Sequence, residues 1–317
     1  MAEKMLIERK IILSKRFPPG VSKITFGRYK LQSIPSISIN DTEAVFSFDN
    51  TFEDCGGSNP EEETNIVISF LSLFLNLRVK KEGFRINSVD IPILNSKYKQ
   101  FIGMFDPSIM EKFFPKIFSL SETLVRQFIR ASKTYSFALE FIPSDPTFAF
   151  FLLVVSAECI SSQDEVIPFS ELNPDSNKCE RFCRFVLTSL LDNYKGNDEQ
   201  NKELVRELLK TAYYSHRSGF VHGGKEVSHA ALMADKAVSS YFKHATEGKE
   251  IKTPGLAWFA KIIQGSLLGF LEKFPSTTKK DEDVFSKIAV EKARLKIKAK
   301  KAVKKGVPVT FGDIEFR

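Results

Sequence analysis

The spacing of apolar residues divides the chain into a β-rich first part and a helical second part. Up to about residue 50, short β-branched and aromatic runs are separated by proline, glycine and asparagine, which predicts strands. The predicted strands are Leu6–Leu13, Phe26–Leu31, Ser36–Ile39 and Ala44–Phe48. Apolar residues then recur every three or four positions from Ile66 to Leu77, which predicts a helix from about Glu61 to Gly83. Phe84–Leu94 again has the pattern of a strand.

From residue 119 onwards the helical period dominates, and it predicts six helices joined by short polar loops. Ser119 and Glu122 form a predicted capping box for the first. Asp145 and Pro146 are predicted to start the second, which is apolar all round and ends at Glu158. The other four are predicted to begin near Asn173, near Asp198, before Ala230 and at Thr253-Pro254. Helices connected in this way form a bundle.

The predicted fold class is therefore α+β and mainly α. Residues 1–105 are predicted to form a small β-rich mixed module, residues 106–275 a helical bundle, and residues 276–317 a linker, a basic helix and a terminal strand. The first module contains no phosphate loop, metal-ligand spacing or catalytic pair, so a structural or target-recognition role is expected for it.

Positive charge is concentrated near the C-terminus. The chain of 317 residues carries a net charge of +7, and residues 279–305 alone hold eleven lysines or arginines against four carboxylates. One interpretation is electrostatic RNA binding, because each neutralised phosphate releases counterions, and the other is a solvated helix face. No aromatic residue lies within residues 292–305, so base stacking is not expected there. The predicted RNA-binding residues are Lys292, Arg294, Lys296, Lys298, Lys300, Lys301, Lys304 and Lys305.

The cysteines and the apolar runs indicate a cytoplasmic protein. The four cysteines include no Cys-x-x-Cys pair, which fits a reducing compartment. Cys179 and Cys183, one helical turn apart, are interpreted as small buried apolar groups in preference to metal ligands, and no metal or cofactor is expected. No signal peptide is expected. The longest apolar run, Phe148–Ala157, has about half of the roughly 20 residues that span a bilayer, so we expect a buried helix and no membrane contact.

Residues 213–224 are the candidate active site. They contain two of the four histidines, an arginine and three glycines, and His229 follows closely. Arg217 and His222 supply a permanent cation and a base that titrates near neutral pH. On an unbroken α-helix, five steps would place these two side chains about 140° apart. Either the helix is broken near Gly219, or a second copy related by a twofold axis brings arginine and histidine together.

The segment Arg217-Ser-Gly-Phe-Val-His222, followed by Gly-Gly, resembles the Arg-x(4–6)-His motif of the HEPN superfamily. The wider form Tyr-x-x-Arg-Ser-x-x-Val-His-Gly resembles its Apea-like branch. The resemblance covers about residues 119–275, and the predicted order of six helices with the motif late in the bundle agrees with it. The chain departs from the family at Ser218, where Asn, Asp or His is common.

This resemblance implies a metal-independent endoribonuclease that acts as a homodimer. His222 would serve as general base or acid on the ribose 2′-hydroxyl and the leaving oxygen, and Arg217 would bind the scissile phosphate, leaving a 2′,3′-cyclic phosphate. Ser218 and His216 would orient the phosphate or the imidazole. Glu158 is either the partner of Arg217 or a helix-end residue that faces solvent. A role in defence or as a toxin, with a neutralising or activating protein partner, also follows by analogy with the family.

Two other interpretations differ in class. A non-catalytic HEPN-like module would bind RNA or a protein partner, and its motif would only lock the dimer. Separately, His216 and His229 are also interpretable as exposed polar residues of helices. A relation to protein kinases, suggested by His216-Arg217, is rejected because no aspartate follows the arginine and no Gly-rich loop or Asp-Phe-Gly is present.

Overall fold

The computed structural model describes residues 4–34, 42–51, 60–81, 104–168, 178–190, 199–218, 238–242, 250–276, 284–292 and 295. Over these residues the protein is α+β and mainly helical, with an antiparallel sheet near the N-terminus. This part of the sequence-based fold class is confirmed.

The N-terminal sheet has five strands in the order β2-β3-β4-β1-β5, and all neighbours are antiparallel. Burial alternates along β1, where Ile11 and Leu13 are buried and Leu6 is exposed, so one face packs inward as the period of two predicts. The strands are β1 (Lys4–Leu13), β2 (Lys23–Phe26), β3 (Tyr29–Ser33), β4 (Thr42–Thr51) and β5 (Val79–Lys81).

The prediction of one strand over Phe26–Leu31 is wrong, because a hairpin turn interrupts it. Phe26 and Tyr29 are paired across β2 and β3, which leaves Gly27 and Arg28 as a two-residue turn. Gly27 has a φ of 58°, a conformation that tight hairpins need and that glycine adopts without strain. The buried positions are even-numbered in β2 and odd-numbered in β3, so the period of two breaks at the turn, and the prediction of one strand overlooked that break.

The first long helix, α1 (Pro60–Leu75), ends earlier than predicted. Asn76 has a φ of 45°, and the Leu77 N–H bonds to the Ser72 carbonyl at 3.3 Å, which is the left-handed ending of a helix. The Asn76 side chain also accepts a hydrogen bond from Tyr135 at 2.9 Å. The helix therefore stops at Asn76, and Gly83 is not its end.

The bundle helices lie mostly where their periodicity predicts. The first, second, third, fourth and sixth predicted helices are confirmed as α3, α4, α5, α6 and α7. α3 and α4 pack as an antiparallel hairpin, with the Ser156 hydroxyl donating to the Ala131 carbonyl at 2.8 Å, and α7 packs on α4 and α5. The elements are α2 (Ser108–Phe113), a 3₁₀ turn (Phe114–Ser119), α3 (Glu122–Phe141), α4 (Pro146–Ser161), α5 (Lys178–Ser189), α6 (Glu199–Thr211), α7 (Leu256–Glu272) and α8 (284–292).

One of the two predicted helix caps on the α3–α4 hairpin is confirmed. The Asp145 carboxylate accepts the Phe148 N–H at 2.9 Å, and Pro146 is the first helical residue, as predicted. At α3 the cap is Ser121, whose hydroxyl accepts the Leu124 N–H at 3.2 Å, and the predicted cap Ser119 instead donates to the Pro275 carbonyl. The predicted capping box is therefore wrong by two residues.

The predicted fifth helix is wrong at its C-terminal end. Val238–Phe242 is a strand, β6, which pairs antiparallel with β7 (Glu250–Pro254). Its sequence, Val-Ser-Ser-Tyr-Phe, has high strand propensity, and pairing with β7 prevails over the helical spacing of the alanines before it. Thr253 and Pro254 belong to β7, and Gly255 is the N-cap of α7, so they do not cap that helix as predicted.

Sheet and bundle share one hydrophobic core that also takes in α8. Phe285 of α8 is fully buried in an aromatic cluster, with its ring 5.3–6.5 Å from those of Tyr29, Phe70, Phe114 and Phe118. The division into residues 1–105, 106–275 and 276–317 stays a prediction. In packing terms, described residues from all three parts contribute to the same core.

Several predicted elements lie outside the described residues: the strands Ser36–Ile39 and Phe84–Leu94, the start of the predicted fifth helix, and the terminal strand 307–316. The predicted basic helix is described over 284–292. Within the ranges that the structure covers, no helix combines the length and the apolar character that a membrane span requires.

Candidate functional site

The first half of the Arg-His motif lies in a π-helical segment. α6 is regular up to Thr211, and residues Ala212–Ser218 continue it as a π-helix. In a π-helix the backbone hydrogen bonds join residues five apart. Such segments are rare in proteins, and those that occur are often found at functional sites. The predicted break near Gly219 lies outside the described residues; up to Ser218 the chain stays helical, with a wider turn than that of an α-helix.

The π-helical segment packs against α4 and brings Arg217 to Glu158. Arg217 Nε lies 3.3 Å from Glu158 Oε2, and the Tyr213 hydroxyl donates to Glu158 Oε1 at 2.8 Å. The guanidinium carbon of Arg217 also lies 5.3 Å from the centre of the Tyr213 ring, which is cation–π distance. Of the two interpretations of Glu158, the partner of Arg217 is the one the structure shows. We call these three residues the Arg217 cluster.

The cluster is half-buried, so its interactions are shielded from water without being closed to a ligand. The side chains of Arg217 and Glu158 are 23% and 16% exposed, and Tyr213 is buried. Burial raises the pKa of Tyr213, and its hydrogen bond to the Glu158 carboxylate raises it further. Tyr213 therefore remains a neutral donor at physiological pH and holds one carboxylate oxygen while the other faces Arg217.

Within the described part of the chain, Glu158 engages only the Nε side of the Arg217 guanidinium. Its Nε is directed to Glu158, and among the residues that the structure describes, its two terminal nitrogens make no hydrogen bond. A guanidinium carries five N–H donors in a planar fork, and the two terminal nitrogens match two oxygens of a carboxylate or phosphate. The cluster can therefore orient an arginine toward a bidentate anion.

The other predicted site residues are only partly placed. The backbones of His216 and Ser218 belong to the π-helical segment, while their side chains, together with all of His222 and His229, lie outside the described residues. The roles predicted for these four residues stay predictions.

The structure places only one of the predicted RNA-binding lysines. Lys292 Nζ donates to Glu62 Oε1 at 3.0 Å, and Lys133 shares that carboxylate. Burial lowers the pKa of Lys133 to about 8, and the charge of Lys292 acts in the same direction. Lys292 thus anchors α8 to α1, and we do not assign it to RNA. The remaining predicted basic residues, Arg294 and Lys296 to Lys305, lie outside the described residues.

Cys179 and Cys183 are both buried, and their sulfur atoms lie 4.0 Å apart on one face of α5. Their interpretation as small buried groups of the core agrees with this burial. Within the described part of the chain, no three histidine, cysteine or acidic side chains converge as metal ligands would.

The sequence interpretation missed Tyr213 as a member of the site. Its position four residues before Arg217 was the available signal, because residues at this spacing are neighbours on a helix. The interpretation instead used Tyr214, which is part of the family-like pattern and is half-exposed.

Replacing Tyr213 by phenylalanine tests how much the hydroxyl holds the cluster. We expect Tyr213→Phe to lower the free energy of unfolding by about 1 kcal/mol, because a buried carboxylate oxygen loses its donor while the ring packing is kept. Urea unfolding of parent and variant measures this. An unchanged midpoint would show that the hydrogen bond from Tyr213 to Glu158 does not contribute to stability.

Three comparisons, with protein-family models, with curated proteins and with solved structures, each find no match to this chain.

Proposed function

We propose that this protein is a metal-independent endoribonuclease of the HEPN type, in which Arg217 and His222 act on one phosphodiester. The observation that carries the proposal is the Arg217 cluster. A half-buried arginine is held through Nε by Glu158 and through its face by Tyr213, with its terminal nitrogens directed to no other described group. Electrostatic stabilisation of a developing phosphorane charge requires a preorganised donor of this kind.

The π-helical geometry supports a shared role for Arg217 and His222. The two residues are five positions apart, which is the spacing of hydrogen-bonded residues in a π-helix. Side chains at this spacing lie closer to one face on a π-helix than on an α-helix, where they diverge by about 140°. The described half of the motif, Ala212–Ser218, has the π geometry.

Each residue has a role that its chemistry supports. His222 takes the proton of the ribose 2′-hydroxyl or gives one to the leaving oxygen, since an imidazole with a pKa of about 6.5 does both near neutral pH. Arg217 binds two phosphate oxygens and stabilises the charge that builds up during attack. Glu158 and Tyr213 touch no reacting atom in this scheme and position the guanidinium. Ser218 and His216 orient the phosphate or the imidazole, and the attack leaves a 2′,3′-cyclic phosphate.

A non-catalytic HEPN-like module that binds RNA or a protein is the second candidate, and one observation favours it. The Glu158 carboxylate already offsets the charge of Arg217, so the pair attracts an anion less strongly than a free guanidinium would. Under this reading the cluster stabilises the packing of the π-helical segment on α4 and has no substrate.

A nuclease assay without divalent metal separates the two candidates. We expect purified protein to cut RNA in excess EDTA and to leave cyclic-phosphate ends. His222→Ala should lower the rate by about 10²- to 10⁴-fold, the usual contribution of a general acid or base, with little change in melting temperature. His229→Ala is the matched control and should keep the parent rate. Cleavage by His222→Ala at the parent rate would refute the catalytic assignment.

The proposed active form is a homodimer whose two motifs face each other across a twofold axis. Light scattering of active protein at micromolar concentration should give twice the mass of the chain. A monomeric mass with full cleavage activity would rule out a site shared between two copies.

A further inference from the structure

A pair of buried thiols lies beside the Arg217 cluster and has no part in the proposed reaction. Cys179 and Cys183 are one turn apart on α5, with their sulfur atoms at 4.0 Å and hydrogen-bonded to each other. Cys159, the other described cysteine, lies on α4. Burial raises the pKa of Cys159 to about 11, which keeps that thiol protonated and unreactive.

The two sulfurs are not equivalent. The thiol of Cys183 lowers the pKa of Cys179 by hydrogen bonding to its sulfur, and the Tyr214 hydroxyl adds a second hydrogen bond in the same direction. The same contact with Cys179, together with burial, raises the pKa of Cys183. Of the two, Cys179 is therefore the sulfur that ionises more readily. A thiolate supported by a neighbouring thiol is the arrangement of reactive dithiols.

Contacts from this pair lead directly to the candidate site. Tyr214, whose hydroxyl reaches Cys179, is the residue after Tyr213, and the two rings lie 5.8 Å apart edge to face. Phe182, between the two cysteines in the sequence, has its ring centre 5.7 Å from that of Tyr213. Tyr213 in turn holds Glu158 and lies under Arg217. A change in the first turns of α5 therefore acts on the Arg217 cluster through two aromatic contacts.

We propose that Cys179 and Cys183 form a reversible oxidation site for small peroxides, and that the resulting disulfide regulates the Arg217 cluster. The regulatory half of this inference rests on the proposed function, and the oxidation half does not. The Cys179 sulfur attacks one peroxide oxygen, the O–O bond breaks, and sulfenic acid and water result. Cys183 then attacks the Cys179 sulfur, forms the S–S bond and releases a second water. Two thiols and one hydrogen peroxide thus give a disulfide and two waters, and the peroxide takes both electrons.

Because of the helix geometry, forming this disulfide must change the structure at the start of α5. Bond formation requires the sulfurs to approach to about 2.05 Å and the Cβ atoms to about 3.8 Å, whereas residues four apart on a helix keep their Cβ atoms about 5–6 Å apart. The start of α5 must distort, and Cys179 is its second residue. Cys179 then leaves the Tyr214 hydroxyl. A disulfide strained in this way is easily reduced, which makes the modification reversible.

Peroxide reaches the pair from the side of Tyr214. This residue is 49% exposed, and its hydroxyl lies against the Cys179 sulfur, so the sulfur lies one side chain below the surface. The proposed route for hydrogen peroxide is a local opening at Tyr214.

Oxidation is tested in the variant Cys55→Ser/Cys159→Ser, which retains only these two thiols. After hydrogen peroxide at neutral pH, we expect a monomer whose mass is lower by two hydrogens and which returns to the starting mass with dithiothreitol or glutathione. Adding Cys183→Ser should abolish the mass loss and leave a sulfenic acid at Cys179 that dimedone traps. Adding Cys179→Ser instead should give no dimedone adduct. Two free thiols after peroxide treatment, or only intermolecular disulfides, would overturn the oxidation site.

Regulation is tested in the same samples by RNA cleavage. We expect the oxidised protein to cut on the order of tenfold to a hundredfold more slowly, since a displacement of about 1 Å at a positioned group has that effect, and to recover when reduced. Equal rates for reduced and oxidised protein would overturn the regulatory half. If the reduced protein cuts no RNA, the proposed function and the regulation that rests on it fail, while the mass measurements still decide whether the thiol pair is an oxidation site.

Discussion

Replacing Arg217 by alanine is expected to lower RNA cleavage by about 10²- to 10³-fold, the effect of removing one preorganised donor from a developing oxyanion. Arg217→Lys should recover only a small part of this loss. A lysine keeps the charge but presents no planar fork, and it cannot be held at Nε by Glu158 while offering two donors to phosphate. Single-turnover cleavage of a labelled RNA under saturating protein measures the chemical step separately from binding.

Arg206→Ala is the matched control for this experiment. Arg206 lies on α6, just before the π-helical segment, and pairs with Glu180 at 2.5 Å in a more exposed position, where the two side chains are 38% and 32% exposed. Its loss removes an ion pair of the same kind without touching the Arg217 cluster, so the cleavage rate should stay within about twofold of the parent, a difference of about 0.4 kcal/mol. Equal losses for Arg206→Ala and Arg217→Ala would show that the effect comes from local unfolding and has no specific link to the phosphate.

Replacing Glu63 by alanine is expected to give the largest loss of stability, about 3–5 kcal/mol, because it leaves Arg28, whose side chain is only 13% exposed, without its carboxylate. Glu63 is only 2% exposed and accepts hydrogen bonds from Arg28 and Tyr29 of the sheet and from Ser286 of α8. This one carboxylate therefore joins α1, the N-terminal sheet and α8. Urea unfolding measures the loss, and hydrogen exchange of residues 284–292 should accelerate because α8 loses an anchor.

The neighbouring Glu61→Ala is the control. Glu61 lies on the same helical turn, is 56% exposed and has its carboxylate 4.0 Å from Arg9 Nε, so its replacement should change stability by less than about 1 kcal/mol. A Glu63→Ala variant as stable as Glu61→Ala would contradict the view that this carboxylate fastens α8 to the fold.

Long helices that bury one face were predicted well from the spacing of their apolar residues. The apolar residues Leu124, Phe128 and Tyr135 of α3 are all buried, and so are Phe259, Ile263 and Leu267 of α7. For long helices of this kind, the period of 3.6 residues is a direct consequence of packing one side against a core. The cap at Asp145 was predictable for a similar reason, because it depends on residues three apart.

The errors arose where pairing or backbone geometry prevails over periodicity. The turn at Gly27 divides a run of β-forming residues that was predicted as one strand, and β6 forms because a partner strand lies next to it. The ending of α1 at Asn76 depends on a single residue with positive φ that also accepts a hydrogen bond from Tyr135 on α3. Contacts across 59 residues of sequence are not visible in a local pattern.

In the candidate site, too, the local sequence predicted some features and missed those that depend on packing. The sequence indicated Arg217, and it left Glu158 open between a partner of Arg217, which the family resemblance implied, and a helix-end residue that faces solvent. It did not indicate the role of Tyr213 or the π-helical form of Ala212–Ser218, since both belong to the packing of the π-helical segment against α4. Nor did it show that Lys292 anchors α8 through Glu62.

The most direct test of the central claim is the dependence of cleavage on a single 2′-hydroxyl. A DNA strand with one ribonucleotide, incubated with the protein in EDTA, should be cut only on the 3′ side of that nucleotide and leave a 2′,3′-cyclic phosphate. The same strand with deoxyribose at that position should remain intact. Equal cutting of both strands, or a 3′-hydroxyl at the new end, would contradict attack by the ribose hydroxyl and with it the joint action of Arg217 and His222.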